Sequence, residues 1–181
     1  MDWLRLKRVT APADPMLTLD EAKRHLYLMH DQDDDYIEHL VEVASGYIEG
    51  PTGAGIPLAV TQWVLTMDHL PRCFDIDLCP VRSIDGITVD GGTVSPDLYS
   101  VDLDSTPARV KGHYLPQCRS DVGRVKVTFT AGYDVIPADL KHAALMLISH
   151  LYENREASST TKLAEVPFAV SAILSRYRAF G

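Results

Sequence analysis

Long hydrophobic runs are missing from this chain of 181 residues. Its opening, Met1-Asp2-Trp3-Leu4-Arg5-Leu6-Lys7-Arg8, has no apolar stretch of secretory-leader length. The longest apolar run on a predicted helix, Ala143 to Ile148, is far too short to span a membrane. The reading is a protein made and assembled in the cytosol, with no membrane partner. Cysteine is scarce as well. Cys73, Cys79 and Cys118 are an odd number in a chain without an export signal, so reduced thiols are expected rather than a disulfide framework. Aromatic residues make up only 8% and are not interleaved with basic ones, which argues against a base-stacking platform. Basic charge is in deficit: 17 Lys and Arg against 25 Asp and Glu leave a net charge of −8. A dedicated nucleic-acid binder needs the opposite balance. What remains is ordinary, with 46% hydrophobic and 23% charged residues, and excludes a disordered chain, a collagen-like chain and a coiled-coil rod. A chain of this length buries enough surface to fold without a metal or disulfide staple.

The acidity is concentrated. Residues 16–50 hold nine acidic and two basic side chains, so this segment alone supplies −7 of the total. It reads as two helices. Thr18-Leu19-Asp20-Glu21 is a capping box, followed by Leu19, Ala22, Leu26 and Met29 at helical spacing. A second helix starts at Asp31 to Asp35, where carboxylates meet the positive end of the helix dipole. Ile37, Leu40, Val41, Ala44 and Ile48 line one face, and Gly50-Pro51 stops it.

From Pro51 to Tyr133 the period falls from 3.6 to 2. Residues 60–67, 75–78, 84–89, 98–103, 108–111 and 124–130 read as short strands, Asp90-Gly91-Gly92 as a hairpin turn, and the stretch contains no Glu. Helical period returns after Gly132. Leu140, Ala143, Ala144, Leu147, Ile148, Leu151 and Tyr152 make one apolar stripe, and a last helix near Pro167 carries Val170, Ile173, Leu174 and Tyr177. The expected fold class is α+β: a helical bundle built from both chain ends, α-α-β insert-α-α, with a small antiparallel β-rich insert. The divisions are an N-terminal extension (1–15), a helical pair (16–50), the insert (51–132) and C-terminal helices completing the bundle (133–181).

No catalytic constellation emerges. Gly50-Pro51-Thr52-Gly53-Ala54-Gly55 follows a helix and precedes a strand, the reverse of a phosphate-cradling loop, so a turn is expected. His69, Cys73, Cys79, His113 and Cys118 lack the paired short hooks of a zinc site. Asp31, Asp33 and Asp35 alternate as in a calcium loop, but Tyr36 stands where the required glycine would be. There is no Gly-x-Ser-x-Gly elbow and no His-Glu-x-x-His pair. The expectation is a non-enzyme with no catalytic residues, no cofactor and no metal.

Several segments, taken in order, resemble a known family. They are Met16-Leu17-Thr18-Leu19-Asp20-Glu21-Ala22-Lys23, Asp33-Asp34-Asp35-Tyr36-Ile37, Cys79-Pro80-Val81-Arg82-Ser83-Ile84 and Tyr99-Ser100-Val101-Asp102. The most specific is Val127-Thr128-Phe129-Thr130-Ala131-Gly132-Tyr133 with Ile136-Pro137-Ala138-Asp139-Leu140-Lys141, followed by His150-Leu151-Tyr152-Glu153-Asn154-Arg155-Glu156 and Val166-Pro167. Over residues 16–178 the chain resembles the head–tail connector (adaptor) proteins of long-tailed phages and gene transfer agents. The resemblance implies a structural virion protein at the head–tail interface, assembled in a bacterial cytoplasm from phage, prophage or gene transfer agent genes. Such proteins form a ring, usually of twelve copies, beneath the portal protein. The ring joins the DNA-filled head to a tail-side connector or tail terminator protein and continues the channel through which double-stranded DNA passes without specific binding.

Two sets of residues are candidates for that role. The C-terminal Arg176, Tyr177, Arg178 and Phe180 combine the residue types enriched at binding hot spots, so they either dock onto the portal or a neighbouring subunit or, for Tyr177 and Phe180, complete the helical core. Asp31, Asp33, Asp34, Asp35, Glu38 and Glu42 are candidates for an acidic face bordering the channel, where a scarcity of Lys and Arg lets DNA slide. The competing function is a DNA-packaging accessory that binds DNA or the packaging motor.

Overall fold

The computed structural model describes residues 5–12, 14–49, 53–113, 123–155 and 168–178. Its elements are β1 (Leu6–Arg8), α1 (Leu19–His25), α2 (Asp34–Ile48), β2 (Thr61–Met67), β3 (Cys73–Ile76), β4 (Val81–Val89), β5 (Gly92–Thr93), β6 (Tyr99–Asp102), β7 (Ala108–Gly112), β8 (Val125–Ala131), α3 (Ala138–Glu153) and α4 (Phe168–Ser175). The chain is mixed α+β, with antiparallel sheets.

The helices share one apolar core. Ala22 of α1, the α2 face Ile37, Leu40, Val41, Ala44 and Ile48, the α3 face Leu140, Ala143, Ala144, Leu147 and Ile148, and Val170 and Leu174 of α4 all belong to it. The capping box starts α1: Glu21 N–H donates to Thr18 Oγ1 at 3.2 Å, and Thr18 N–H donates to Glu21 Oε2 at 2.8 Å. Lys141 of α3 then reaches Glu21 Oε1 at 3.1 Å, tying the cap to the bundle.

At the far end α1 is shorter than its periodicity predicts. The helix closes after His25 with Tyr27 N–H on Arg24 O (3.3 Å) and Leu28 N–H on Lys23 O (3.0 Å), a Schellman closure. Tyr27 takes the left-handed position at φ +57°, where glycine is the usual residue. Met29, placed by periodicity on the apolar stripe, is instead fully exposed. The closure reverses the chain before Met29 can reach the core.

Among the described residues the strands form two antiparallel sheets where one was expected, ordered β1-β2-β8-β4-β5 and β3-β7-β6. Trp63, Leu65, Ile87, Val127 and Phe129 of the first share a core with Ile76, Ala108 and Val110 of the second. The Asp90-Gly91 turn joins β4 to β5 with both residues at positive φ (52° and 83°), as a tight hairpin requires. β1 lies within the predicted N-terminal extension and had no expected element. It pairs with β2 in the register Leu6↔Leu65, Lys7↔Val64, Arg8↔Trp63, with Leu6 buried. Three residues with a single buried side chain carry no readable alternation.

The two cores meet at Gly132. Its N–H donates to Pro80 O (3.0 Å), its carbonyl accepts from Arg82 Nε (3.0 Å), and Tyr133 N–H donates to Leu58 O (3.3 Å). Gly132 has φ +128°, and a Cβ there would sit 2.0 Å from Ala59 O. Only glycine permits so close a crossing.

Candidate functional site

The six acidic candidates separate into two groups. Asp31 and Asp34 both receive Lys23 Nζ, at 2.6 and 2.7 Å. Asp33 accepts from the Tyr152 hydroxyl at 2.7 Å and pairs with Arg155 at 3.2 Å. The Arg155 guanidinium lies over the Tyr36 and Tyr152 rings, 4.5 and 4.4 Å from their centres. The Tyr152 hydrogen bond, then Arg155, lowers the Asp33 pKa. The Lys23 hydrogen bond lowers that of Asp31, and Asp31 and Asp34 raise that of Lys23. These carboxylates therefore clamp α1, α2 and the end of α3 together. Asp31 and Asp33 turn to different cations and Asp35 to none among the described residues, so the alternating aspartates do not converge on a calcium ion.

Asp35, Glu38 and Glu42 behave differently. They follow i, i+3, i+7 spacing on α2, opposite the buried Ile37, Leu40, Val41, Ala44 and Ile48. All three are exposed, and among the described residues none forms an ion pair. They are an open acidic stripe.

The C-terminal candidates lie against their own chain. Arg176 Nη1 is 3.3 Å from Asp139 Oδ2, and the Tyr177 hydroxyl donates to the same oxygen at 3.4 Å. The Tyr177 ring meets Tyr133 edge-on at 6.4 Å, and Arg178 Nε donates to Ala54 O at 3.1 Å. Tyr177 packs against the helical core, while Arg176 and Arg178 are exposed. Phe180 and Cys118 lie outside the described residues.

Sequence reasoning missed Lys23, Tyr152 and Arg155 as partners of the aspartates. Arg155 and Tyr152 stand about 120 positions from Asp33 along the chain, and only helix packing brings them together. No motif encodes such a pairing.

Among the described residues, no group of three or more His, Cys, Asp or Glu is placed to hold a metal. Cys79 is buried, Cys73 is exposed on β3, and His113 Nε2 lies 2.7 Å from Ser100 Oγ. In the Gly-rich loop, Ala54 N–H donates to Tyr47 O (2.8 Å) and Ile56 N–H to Ile48 O (3.2 Å). These donors satisfy the last carbonyls of α2 and are not available to cradle a phosphate. A Cβ on Gly53 would lie 2.5–2.7 Å from the carbonyls of Tyr47, Gly46 and Glu49, so glycine permits that close approach.

A family model described as head completion protein matches residues 15–180. The chain belongs to the head completion protein family. That span takes in the helical core, both sheets apart from β1 and all the acidic candidates, and it agrees with the connector resemblance carried by the sequence segments. No curated protein sequence matches significantly. Three solved structures share this member's fold across 96% of this chain and 94% of theirs. One is from the virion of a native gene transfer agent particle (TM-score 0.68, 22% identity). The others are from the neck of the empty particle computed with C6 symmetry (0.69, 22%) and of the native particle computed with C12 symmetry (0.66, 21%).

Proposed function

We propose that this protein is a structural neck component: a ring-forming connector seated below the portal that joins the DNA-filled head to the tail and continues the DNA channel. The observation that carries this reading is the match to head completion proteins over residues 15–180. A fold shared with a protein of a neck computed with C12 symmetry supports it. In this reading the helices from both chain ends form the subunit body and the β-rich part projects from it. The partners are the portal protein, a tail-side connector or terminator, and further copies of this chain, probed by heterologous contacts that close on themselves. Its role is non-enzymatic and needs no cofactor.

The open stripe of Asp35, Glu38 and Glu42 borders the channel in this proposal, while Asp31, Asp33 and Asp34 stiffen the helix ends behind it. Phosphates moving past unpaired carboxylates find no cation to hold them. Arg176 and Arg178 face the portal, with Tyr177 holding the segment to the bundle, and Phe180 is a further candidate contact.

The test is removal of the gene from a producing cell. DNA-filled heads and separate, complete tails are expected by electron microscopy, with joining restored by the gene in trans. Normal joined particles without the gene would refute the connector role. Empty heads would favour the packaging accessory instead.

A further inference from the structure

The turn between α1 and α2 presents two large side chains to solvent. Tyr27 is 92% and Met29 100% exposed, while their neighbours Leu26 and Leu28 pack on the helical core. The Schellman position occupied by Tyr27 favours glycine, so the backbone there is held in a conformation that an aromatic residue disfavours. Local folding has no use for this side chain. The nearest charge in sequence that is unpaired among the described residues is Arg24, since Asp31, Asp33 and Asp34 are taken by Lys23 and Arg155.

A cavity of about 330 Å³ opens at the other end of α2. Pro12, Pro15, Val41 and Leu58 supply apolar wall, and the exposed Asp14 and Glu42 add carboxylates that form no ion pair among the described residues. Gly46 lies on the cavity lining and leaves open space where a Cβ would be. From Asp34 to Gly46 the helix rises roughly 18 Å, so the turn of one chain does not reach its own cavity.

We propose that Tyr27 and Met29 form a knob that seats in the cavity beside Gly46 of the next copy of this chain. The two patches differ, lie towards opposite ends of one helix and complement each other in charge: an aromatic–thioether knob beside Arg24, and a hollow whose Arg8 and Glu49 pair with each other, leaving Asp14 and Glu42 as its net charge. A contact of this kind is heterologous, and repeating it builds a ring when the rotation closes. This inference rests on the ring reading above and names the contact that makes the ring.

Two substitutions test it without threatening the fold. Tyr27→Gly removes the aromatic part of the knob and puts the favoured residue at the left-handed position. Gly46→Phe fills the cavity from a helix position with space around it and improves helix propensity. Both variants should melt at or above the wild-type temperature. In sedimentation and in counts of subunits per particle, each should lose self-association at least tenfold. A mixture should recover only dimers, because each variant keeps one intact patch. Rings formed by either variant as readily as by wild type would overturn the knob while leaving the ring reading intact. Rings that form normally but fail to enter particles would assign the turn to another neck protein and overturn the self-contact. Failure of the wild type to self-associate, alone or in particles, would overturn the ring reading itself.

Discussion

At the scale of single residues, Gly132 has the least room for a side chain of the described glycines. It ends β8, bonds to Pro80 and Arg82, and passes so close to Ala59 that a methyl group would overlap the backbone. Gly132→Ala combines that overlap with a strained φ, and a loss of about 3 kcal/mol is expected. Urea unfolding monitored by the buried Trp63 would measure it. Asp33 makes a pH-dependent prediction. Tyr152 and Arg155 hold its pKa below the ordinary 3.8, so its contribution is complete above the unfolded-state value. That contribution disappears as pH falls through the lower folded-state value. Glu21 and Asp31 shift the same way, Glu21 chiefly through the backbone N–H of Thr18. Stability should therefore decline below about pH 4. Asp33→Asn should be less stable than wild type at pH 7, and the two urea midpoints should converge as the acid limit is approached. A constant gap between them down to pH 2 would contradict the assignment.

Among the elements, α1 depends on its ends more than on its length. Seven residues are too few for a helix to hold itself, so the capping box and the Lys141–Glu21 contact carry it. Thr18→Ala should cost about 1 kcal/mol by denaturant titration. Measured with Lys141→Ala in a double-mutant cycle, the two changes should couple, because both act through the Glu21 carboxylate. α4 is held from both directions: Val170 and Leu174 enter the core, and Tyr177 beyond its end bonds to Asp139 of α3. Removing residues 176–181 should thus lower the melting temperature as well as weaken portal binding. Tyr177→Phe separates the effects: it keeps the ring contact with Tyr133, loses the Asp139 bond and should leave portal binding unchanged.

For the whole molecule, the charge of −8 resolves into functionally different parts. Much of the N-terminal acidity is neutralised locally by Lys23, Arg155, Lys141 and Arg8, the last paired with Glu49. The remainder includes the α2 stripe. Replacing Asp35 and Glu38 together by Lys should leave folding intact, since both are exposed and unpaired among the described residues, and it spares Glu42 at the proposed contact between copies. In particles it should slow DNA exit, read as fewer DNA transfers per joined particle, with an effect that shrinks as salt screens the phosphates. Unchanged transfer at low salt would move the stripe away from the channel. The wild-type protein should show no salt-dependent binding to duplex DNA in a fluorescence titration.

Much of this architecture was legible along the chain because local patterns encode local structure. The 3.6-residue stripe of α2 and α3, the Thr18–Glu21 box and the Asp90-Gly91 turn each depend on neighbours a few positions away. Met29 was misplaced because periodicity records which residues are apolar, not where the backbone stops following a helix. β1 was invisible because its identity as a strand comes from β2, more than fifty residues distant. The division of the acidic residues into clamp and open stripe was likewise decided in three dimensions: whether a carboxylate is free depends on which cation the fold carries to it. Composition supplied the amount of negative charge. Packing α1 and α3 against α2 determined which part of it still faces outward.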